Sequence, residues 1–323
     1  MHSMERHYRM PLHFLRRAKD YALPLTIAAG VVGYKYISLL GFAVPYCIIA
    51  MLFFSFVRVD LSKIRLTPVL LFMQFFQVAA AVICYFAIRL VLPPVVAEGA
   101  LSCFLCPAAS ASPVIIGILG GSVTVGVSYV LFTSAAIALI APLLFSWIAP
   151  GEMSFWASVL YIMKQVMPLV LIPIVLSSLV RRRMPRVMKT LSRIPSAAFW
   201  LWVVTLAIVI ARTVSYMAEQ PASEIPTMIL LAVTGLVVCI IQFTVGKLLS
   251  KRVLGESITL GQSLGQKNSS LAIWMCQAYL NPLSAVAMAA YSIWQNLFNA
   301  LQMMIHSRKL ERAEQQSRDN SPT

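Results

Sequence analysis

Two short stretches set polar side chains among helix breakers inside otherwise apolar sequence. The first, LSCFLCPAASASPVIIGILGG, carries Cys103, Cys106, Ser110 and Ser112 with the prolines Pro107 and Pro113. The second, ITLGQSLGQKNSSLAIW, carries Ser263, Gln266, Lys267, Asn268 and Ser269 after Gly261 and Gly265. Hydroxyls, carboxamides and one ammonium in loosened helix can hydrogen-bond an anion or stand where a cation is bound. Covalent chemistry fits less well. Ser110 or Cys106 as a nucleophile needs a general base within hydrogen-bond reach. His2, His7, His13 and His306 lie outside the membrane core, and none of the eleven acids lies mid-membrane, Glu256 sitting near a helix start. The C-x-x-C spacing of Cys103 and Cys106 has no second pair and no histidine beside it, which argues against a metal or redox centre. The expectation is a non-enzyme with no metal and no organic cofactor.

Lys267 is the residue that most needs a reason. An unpaired ammonium in a bilayer is costly, so it must find a partner or lose its proton. Three roles stay open: a tether bonded to Gln74, Gln77 and the carbonyls of an opened helix; a titrating group that couples proton movement; or a direct partner for a substrate carboxylate, helped by the positive ends of half-helices. The tether is favoured. Asn268, Ser269 and Ser110 either meet a substrate or satisfy opened backbone. Gln295 and Asn296 either line a cavity or bond between helices, the second being favoured. Lys164, well inside an apolar run, reads as a snorkelling or packing side chain.

These residues must be positioned by membrane-spanning helices. The 323-residue chain is 59% hydrophobic and 11% charged, with mean hydropathy +0.81. That composition excludes an ordinary soluble domain. The formal charge of +15 does not imply nucleic-acid binding, because the basic residues cluster between apolar runs. A hydrocarbon core takes about 20 helical residues to cross. The pattern predicts ten helices: Tyr21–Leu39, Leu40–Phe56, Pro68–Leu90, Ala97–Leu119, Val123–Ile148, Phe155–Leu179, Ser196–Tyr216, Pro226–Leu249, Ser257–Ala278 and Ser284–His306. Lys and Arg concentrate on the side of the basic leader, residues 1–20, which puts both termini in the cytoplasm of an inner-membrane protein. No cleavable signal is expected in that leader. The tail, residues 307–323, reads as polar and disordered.

Ten helices split into residues 21–150 and 151–306, five in each half with opposite orientation. Inverted repeats of this kind build many secondary transporters, whose sites lie where broken helices of the two halves meet. The fourth helix of each half carries a break: Pro107 and Pro113 in one, Gly261 and Gly265 in the other. Unwound backbone at membrane depth is tolerated where it lines a cavity or is buried in protein.

At this point the sequence resembles a known family. The segment CPAASASPV is similar to the CPGGTASNV stretch of the bile acid:sodium symporter family, and SLGQKNSSLA to its E-x-G-x-Q-N-x-x-L-A stretch. The AKDYALPLTI start, the RVDLSKIR loop and the ten-helix layout extend the resemblance over nearly the whole chain. It implies an all-α fold in which broken helices 4 and 9 cross in a core domain beside a mobile panel domain. It further implies inward carriage of organic anions with two sodium ions.

The departures from the family pattern are specific. The family's sodium-binding Glu falls on Ser263 and its Gln on Lys267. The Asn after its TAS falls on Pro113, leaving Ser112. Hydroxyl positions of the fifth helix fall on Gly126 and Val130, and the third-helix Gln is either Gln74 or Gln77. The cation-site equivalents are thus Gln74, Gln77, Ser112, Ser263, Gln266 and Lys267, and none is an acid. Substrate contacts are expected from Ser110, Ser112, Pro113, Lys267, Asn268 and Ser269. The expectation is an alternating-access carrier of a small carboxylate or sulfonate, not conventionally sodium-coupled, with uniport, exchange and proton coupling all open. The alternatives are a sodium symporter with displaced sites and a non-transporting sensor on the same fold. The expected partners are the organic anion and the lipid bilayer, with no nucleic acid and no obligate protein partner.

Overall fold

In this computed structural model, residues 22–57, 65–149, 153–192 and 197–319 are described. The basic leader and most of the RVDLSKIR loop lie outside the described residues. The described chain is helical, with one isolated backbone bridge between Ala108 and Lys267. Six segments are long and apolar enough to cross a membrane: Tyr34–Phe54, Pro68–Arg89, Val123–Ile148, Phe155–Arg183, Trp200–Ala218 and Ala222–Leu254. Large apolar side chains point outward from them, Phe75, Trp156 and Val175 among them. Such surface is unstable in water and stable against lipid tails. The protein is a multi-pass helical membrane protein.

The helices are α1 (Ala22–Val32), α2 (Tyr34–Ile37), α3 (Val44–Phe56), α4 (Pro68–Arg89), α5 (Pro94–Leu105), α6 (Ser112–Ile118) and α7 (Val123–Ile148). They continue as α8 (Phe155–Arg183), α9 (Pro185–Ser192), α10 (Ala197–Ala218), α11 (Ile225–Leu254), α12 (Thr259–Gly265), α13 (Ser269–Tyr279) and α14 (Ala285–Asp319). The sequence places the first boundary between Leu39 and Leu40. The structure instead tightens into a 3₁₀ turn over Ser38–Ala43 and starts α3 at Val44, with Pro45 in its first turn. Proline fits there because the first-turn amides of a helix have no partner within it. The last helix also runs past His306 to Asp319, so the expected disorder of the tail does not hold over that stretch. SRKLERAEQQSRD contains no Gly or Pro and is rich in helix formers.

The helices pack in two groups. In one, α10 lies against α1 and α3, and α3 against α8. In the other, α11 contacts α5, α12 and α14, while α4 packs on α5, α6 on α7 and α13 on α14. The groups meet chiefly where α7 touches α8 and α10 touches α13.

Close backbone approach holds the second group together. A Cβ on Gly235 of α11 would meet the Ala287 carbonyl oxygen at 2.2 Å, and one on Gly246 would meet that of Leu260 at 2.6 Å. Both neighbours are backbone and cannot rotate away, so only glycine lets α14 and α12 come this near. Gly235→Ala should therefore force α14 outward, at a cost of about 1–3 kcal/mol. The expected result is a melting temperature several degrees lower in detergent, read by intrinsic fluorescence; an unchanged value would refute the close contact.

Candidate functional site

Both breaks expected from sequence are present. Pro107 has no amide to give the Cys103 carbonyl, and the residue before it turns extended, Cys106 adopting φ −53° and ψ 134°. Helix α5 ends at Leu105 and the chain resumes as α6 at Ser112, with Pro113 in the first turn. On the other side α12 stops at Gly265 and α13 starts at Ser269, capped by Asn268, whose side-chain oxygen accepts from the Leu271 amide at 3.4 Å.

The two unwound segments pair with each other. The Ala109 amide donates to the Gln266 carbonyl, and the Asn268 amide to the Pro107 carbonyl, each at 2.9 Å. Ala108 and Lys267 form the antiparallel bridge between them. Each opened helix thus supplies part of what the other lost.

Side chains from neighbouring helices take most of the remaining carbonyls at the end of α5. Gln242 of α11 donates to Cys103 O at 3.0 Å, standing in for the amide Pro107 lacks. The Lys267 ammonium reaches Phe104 O at 3.5 Å. Gln77 of α4 donates to Leu105 O at 3.1 Å and Cys106 O at 2.8 Å, and its own oxygen accepts from the Tyr129 hydroxyl at 2.8 Å. At the end of α12, Tyr291 donates to Gly265 O at 2.7 Å. Gln295 grips the Lys267 peptide from both sides, accepting from its amide at 2.8 Å and donating to its carbonyl at 3.2 Å.

Lys267 is 1% exposed and has no carboxylate partner among the described residues. The expected tether is present in part. It uses one freed carbonyl, whereas Gln77 is occupied by two others and neither side-chain polar atom of Gln74 has a partner. The ammonium sits at the C-terminal end of α5, the negative end of that helix dipole, which favours a cation without any acid. The free thiols of Cys103, Cys106 and Cys239 are buried in the same region.

The other predicted site residues gather around this crossover, mostly engaged with protein. Ser112 donates to Gln262 O at 3.0 Å and Ser263 back to Thr259 O at 2.7 Å. Gln266 donates to Gln262 Oε1 and to Asn299 Oδ1, while Ser269 shares a hydroxyl bond with Ser292 at 3.0 Å. Pro113 is buried, and Ser110 is half-buried with no hydrogen bond among the described residues. Gln295 bonds between helices as favoured, but Asn296 donates within its own helix, to Ser292 O. Lys164 is exposed. Sequence reasoning missed Gln242 and Tyr291; a glutamine in the run VVCIIQFTVG was the available signal.

Glu256 secures the outer end of α12, taking hydrogen bonds from Ser250, Ile258 and Thr259. The Thr259 hydroxyl in turn accepts from the Ser122 amide at 2.8 Å, tying α12 to the turn after α6. Burial alone would push the Glu256 carboxyl up, but the Thr259 hydroxyl, the two amides and Ser250 outweigh it and hold it below its ordinary value. A carboxyl held low in the folded chain stabilises the fold above its ordinary range, and that contribution is lost as pH falls through the folded value. The melting temperature of the wild type should accordingly fall as pH drops through the carboxylate range, and Glu256→Gln should show a smaller fall. Separately, Gln77→Leu should orphan two buried carbonyls at about 1–3 kcal/mol each. Asn296→Leu, which breaks a bond inside one helix, should stay within about 1 kcal/mol. Equal losses of melting temperature in the two variants would contradict this accounting.

No protein-family model matches the chain, and comparison with curated proteins finds no match.

Proposed function

We propose that this protein is a secondary transporter of a small organic anion, a carboxylate or sulfonate, working by alternating access with the Lys267 ammonium in place of a transported cation. One observation carries the proposal: the fully buried Lys267 amine lies at the crossing of two opened helices, against a freed carbonyl and with no acid beside it among the described residues. Opened, mutually paired helices at membrane depth are the build of transporter sites. A sodium ion at the same carbonyl would be repelled by the fixed charge, strongly so in a low-dielectric site. The carrier is therefore proposed as sodium-independent, with protons or a counter-anion as the coupling partner if there is one.

The finer architecture belongs to the same proposal. Counting α1, the pairs α5–α6 and α12–α13, and α14 as four crossings beside the six apolar spans gives ten, in two inverted repeats over 21–150 and 151–306. The packing group of α1, α3, α8 and α10 would then be the panel and the other group the core. The basic ends of α8 (Arg181, Arg182, Arg183) and α11 (Lys251, Arg252) support cytoplasmic termini in an inner membrane. The substrate anion would meet Ser110, Ser112, Pro113, Asn268 and Ser269 near the positive end of α13. With no carboxylate or imidazole placed against Ser110 or Cys106 among the described residues, enzymatic turnover is not proposed.

The test combines stability and flux. Melting temperatures of the wild type and Lys267→Gln are measured in sodium and in choline chloride, and proteoliposomes are assayed for counterflow of labelled carboxylates and sulfonates. A bound ion stabilises the native state by mass action, by about 2.7 kcal/mol at a hundredfold excess over its Kd. The wild type should show no sodium shift and sodium-independent counterflow, and the glutamine variant should gain a sodium shift. A sodium-dependent rise in the wild type would overturn the built-in cation, and absence of counterflow for every anion would overturn transport.

A further inference from the structure

Between α8 and α10 the chain reads RRRMPRVMKTLSR. Both flanking segments, Phe155–Arg183 and Trp200–Ala218, are long and apolar enough to cross the membrane, so their connection lies at one face of the bilayer. Most of that connection is itself helical. Helix α9 runs over Pro185–Ser192, about 12 Å at the usual rise and far too short to cross.

The chain changes direction between the two helices. The Met184 amide closes α8 on Val180 O at 2.8 Å, and Met184 itself leaves helical geometry at φ −133° and ψ 62°. Pro185 then opens α9, at the position where a missing amide is harmless. Arg181 fixes the corner by donating to Val57 O, just past the end of α3, at 3.1 Å. Helix α9 packs on α8.

The residues after the corner have helical amphipathic spacing. Met184, Val187, Met188 and Leu191 recur at i, i+3, i+4 and i+7 and form one apolar stripe, with Arg186 and Thr190 on the opposite side. Protein covers the stripe incompletely: Met184 is 51% exposed and Val187 38%, while Met188 and Leu191 are half-buried. Arg182, Arg183 and Arg186 are exposed, and among the described residues they have no side-chain hydrogen bond or ion pair. Lys189 and Arg193 extend the basic run in the sequence, and no acid occurs between Glu152 and Glu219.

A half-bare apolar stripe beside an arginine cluster matches the boundary between acyl chains and charged headgroups. A soluble acidic partner would use the arginines and leave the stripe in water. A zwitterionic lipid would cover the stripe and leave the arginines without net counter-charge.

We propose that α9 and the arginines before it form a docking site for anionic phospholipid. The helix lies in the plane of the bilayer, with Val187 and Leu191 resting on the acyl boundary and Arg182, Arg183 and Arg186 taking headgroup phosphates. The planar guanidinium fork suits two phosphate oxygens at once. The site stands on the membrane placement of α8 and α10 and needs nothing from the transport reading. Because Arg181 ties the corner to the chain after α3, an occupied site also steadies the adjoining ends of α3 and α8.

The experiment is amide hydrogen exchange of the full chain in nanodiscs of phosphatidylcholine, with and without added phosphatidylglycerol. Docking holds the helix closed, so exchange over residues 188–192 should slow by about tenfold or more when phosphatidylglycerol is present, and the effect should shrink at high salt. The combined variant Arg182→Gln, Arg183→Gln and Arg186→Gln should lose the slowing with its melting temperature unchanged. Val187→Ser with Leu191→Ser, which keeps every charge, should weaken it several-fold. Equal exchange in the two kinds of disc would overturn the proposal, as would slowing that survives in the triple variant. In a further arm glycerol 1-phosphate is added to phosphatidylcholine discs: no slowing is expected, and slowing equal to that by phosphatidylglycerol would overturn lipid docking by assigning the arginines to a soluble anion.

Discussion

A peptide carbonyl without a donor is costly in hydrocarbon, and this protein exposes a run of them where two helices open at one place. The rest of the core can be derived from how those groups are met. Pro107 removes the amide that would have served Cys103, and the extended turn carries the amides of Ala108, Ala109 and Ser110 away from the carbonyls they would have reached. Four consecutive carbonyls, Cys103 to Cys106, are then taken by Gln242, Lys267 and Gln77. Two helices, α11 and α4, and the opposite opened segment must stand close to the break to supply these donors, and the glycine contacts of α11 with α14 and α12 set how close the bundle packs around them. The polar residues at the crossover are in this sense a consequence of the break.

Lys267 belongs to that accounting and also exceeds it. An amide could have served Phe104 as well as an ammonium does. Its side chain lies at the negative end of α5, which favours a positive charge there, and no acid among the described residues lies beside it. Arg212 adds a second uncompensated cation where the two packing groups face each other. Lys267 and Arg212 thus stand at two separate places in the described bundle, one fully buried and one half-buried.

Much of this was legible in the sequence. Apolar runs located the six long spans, and Pro107, Pro113, Gly261 and Gly265 located both breaks, because a missing amide and a missing Cβ act locally. The oddity of Lys267 was visible from the absence of acids in apolar sequence. Its partner was not, since pairing with Phe104 depends on a crossing that joins residues more than 160 apart. Gln77 was picked as a cation-site candidate but serves as a cap on two carbonyls, a role set by the orientation of α4 against α5. Arg212 showed itself only as a charge within an apolar run, and its place depends on Gly41 from the far end of the chain, a contact that neither residue's neighbours announce. The first helix boundary was misplaced because a 3₁₀ turn over apolar residues has no periodic signature distinct from an α-helix.

The bonds that join the two opened segments run from backbone to backbone, and this has a consequence for how the protein can change. The Ala109–Gln266 and Asn268–Pro107 bonds do not depend on which side chains those positions carry, apart from the missing amide at Pro107. Side chains at 108, 109, 266 and 267 can therefore diverge without unpicking the joint that holds them. A scaffold of this kind separates its architecture from its selectivity, because the crossing is held by backbone while the groups displayed there are set by side chains.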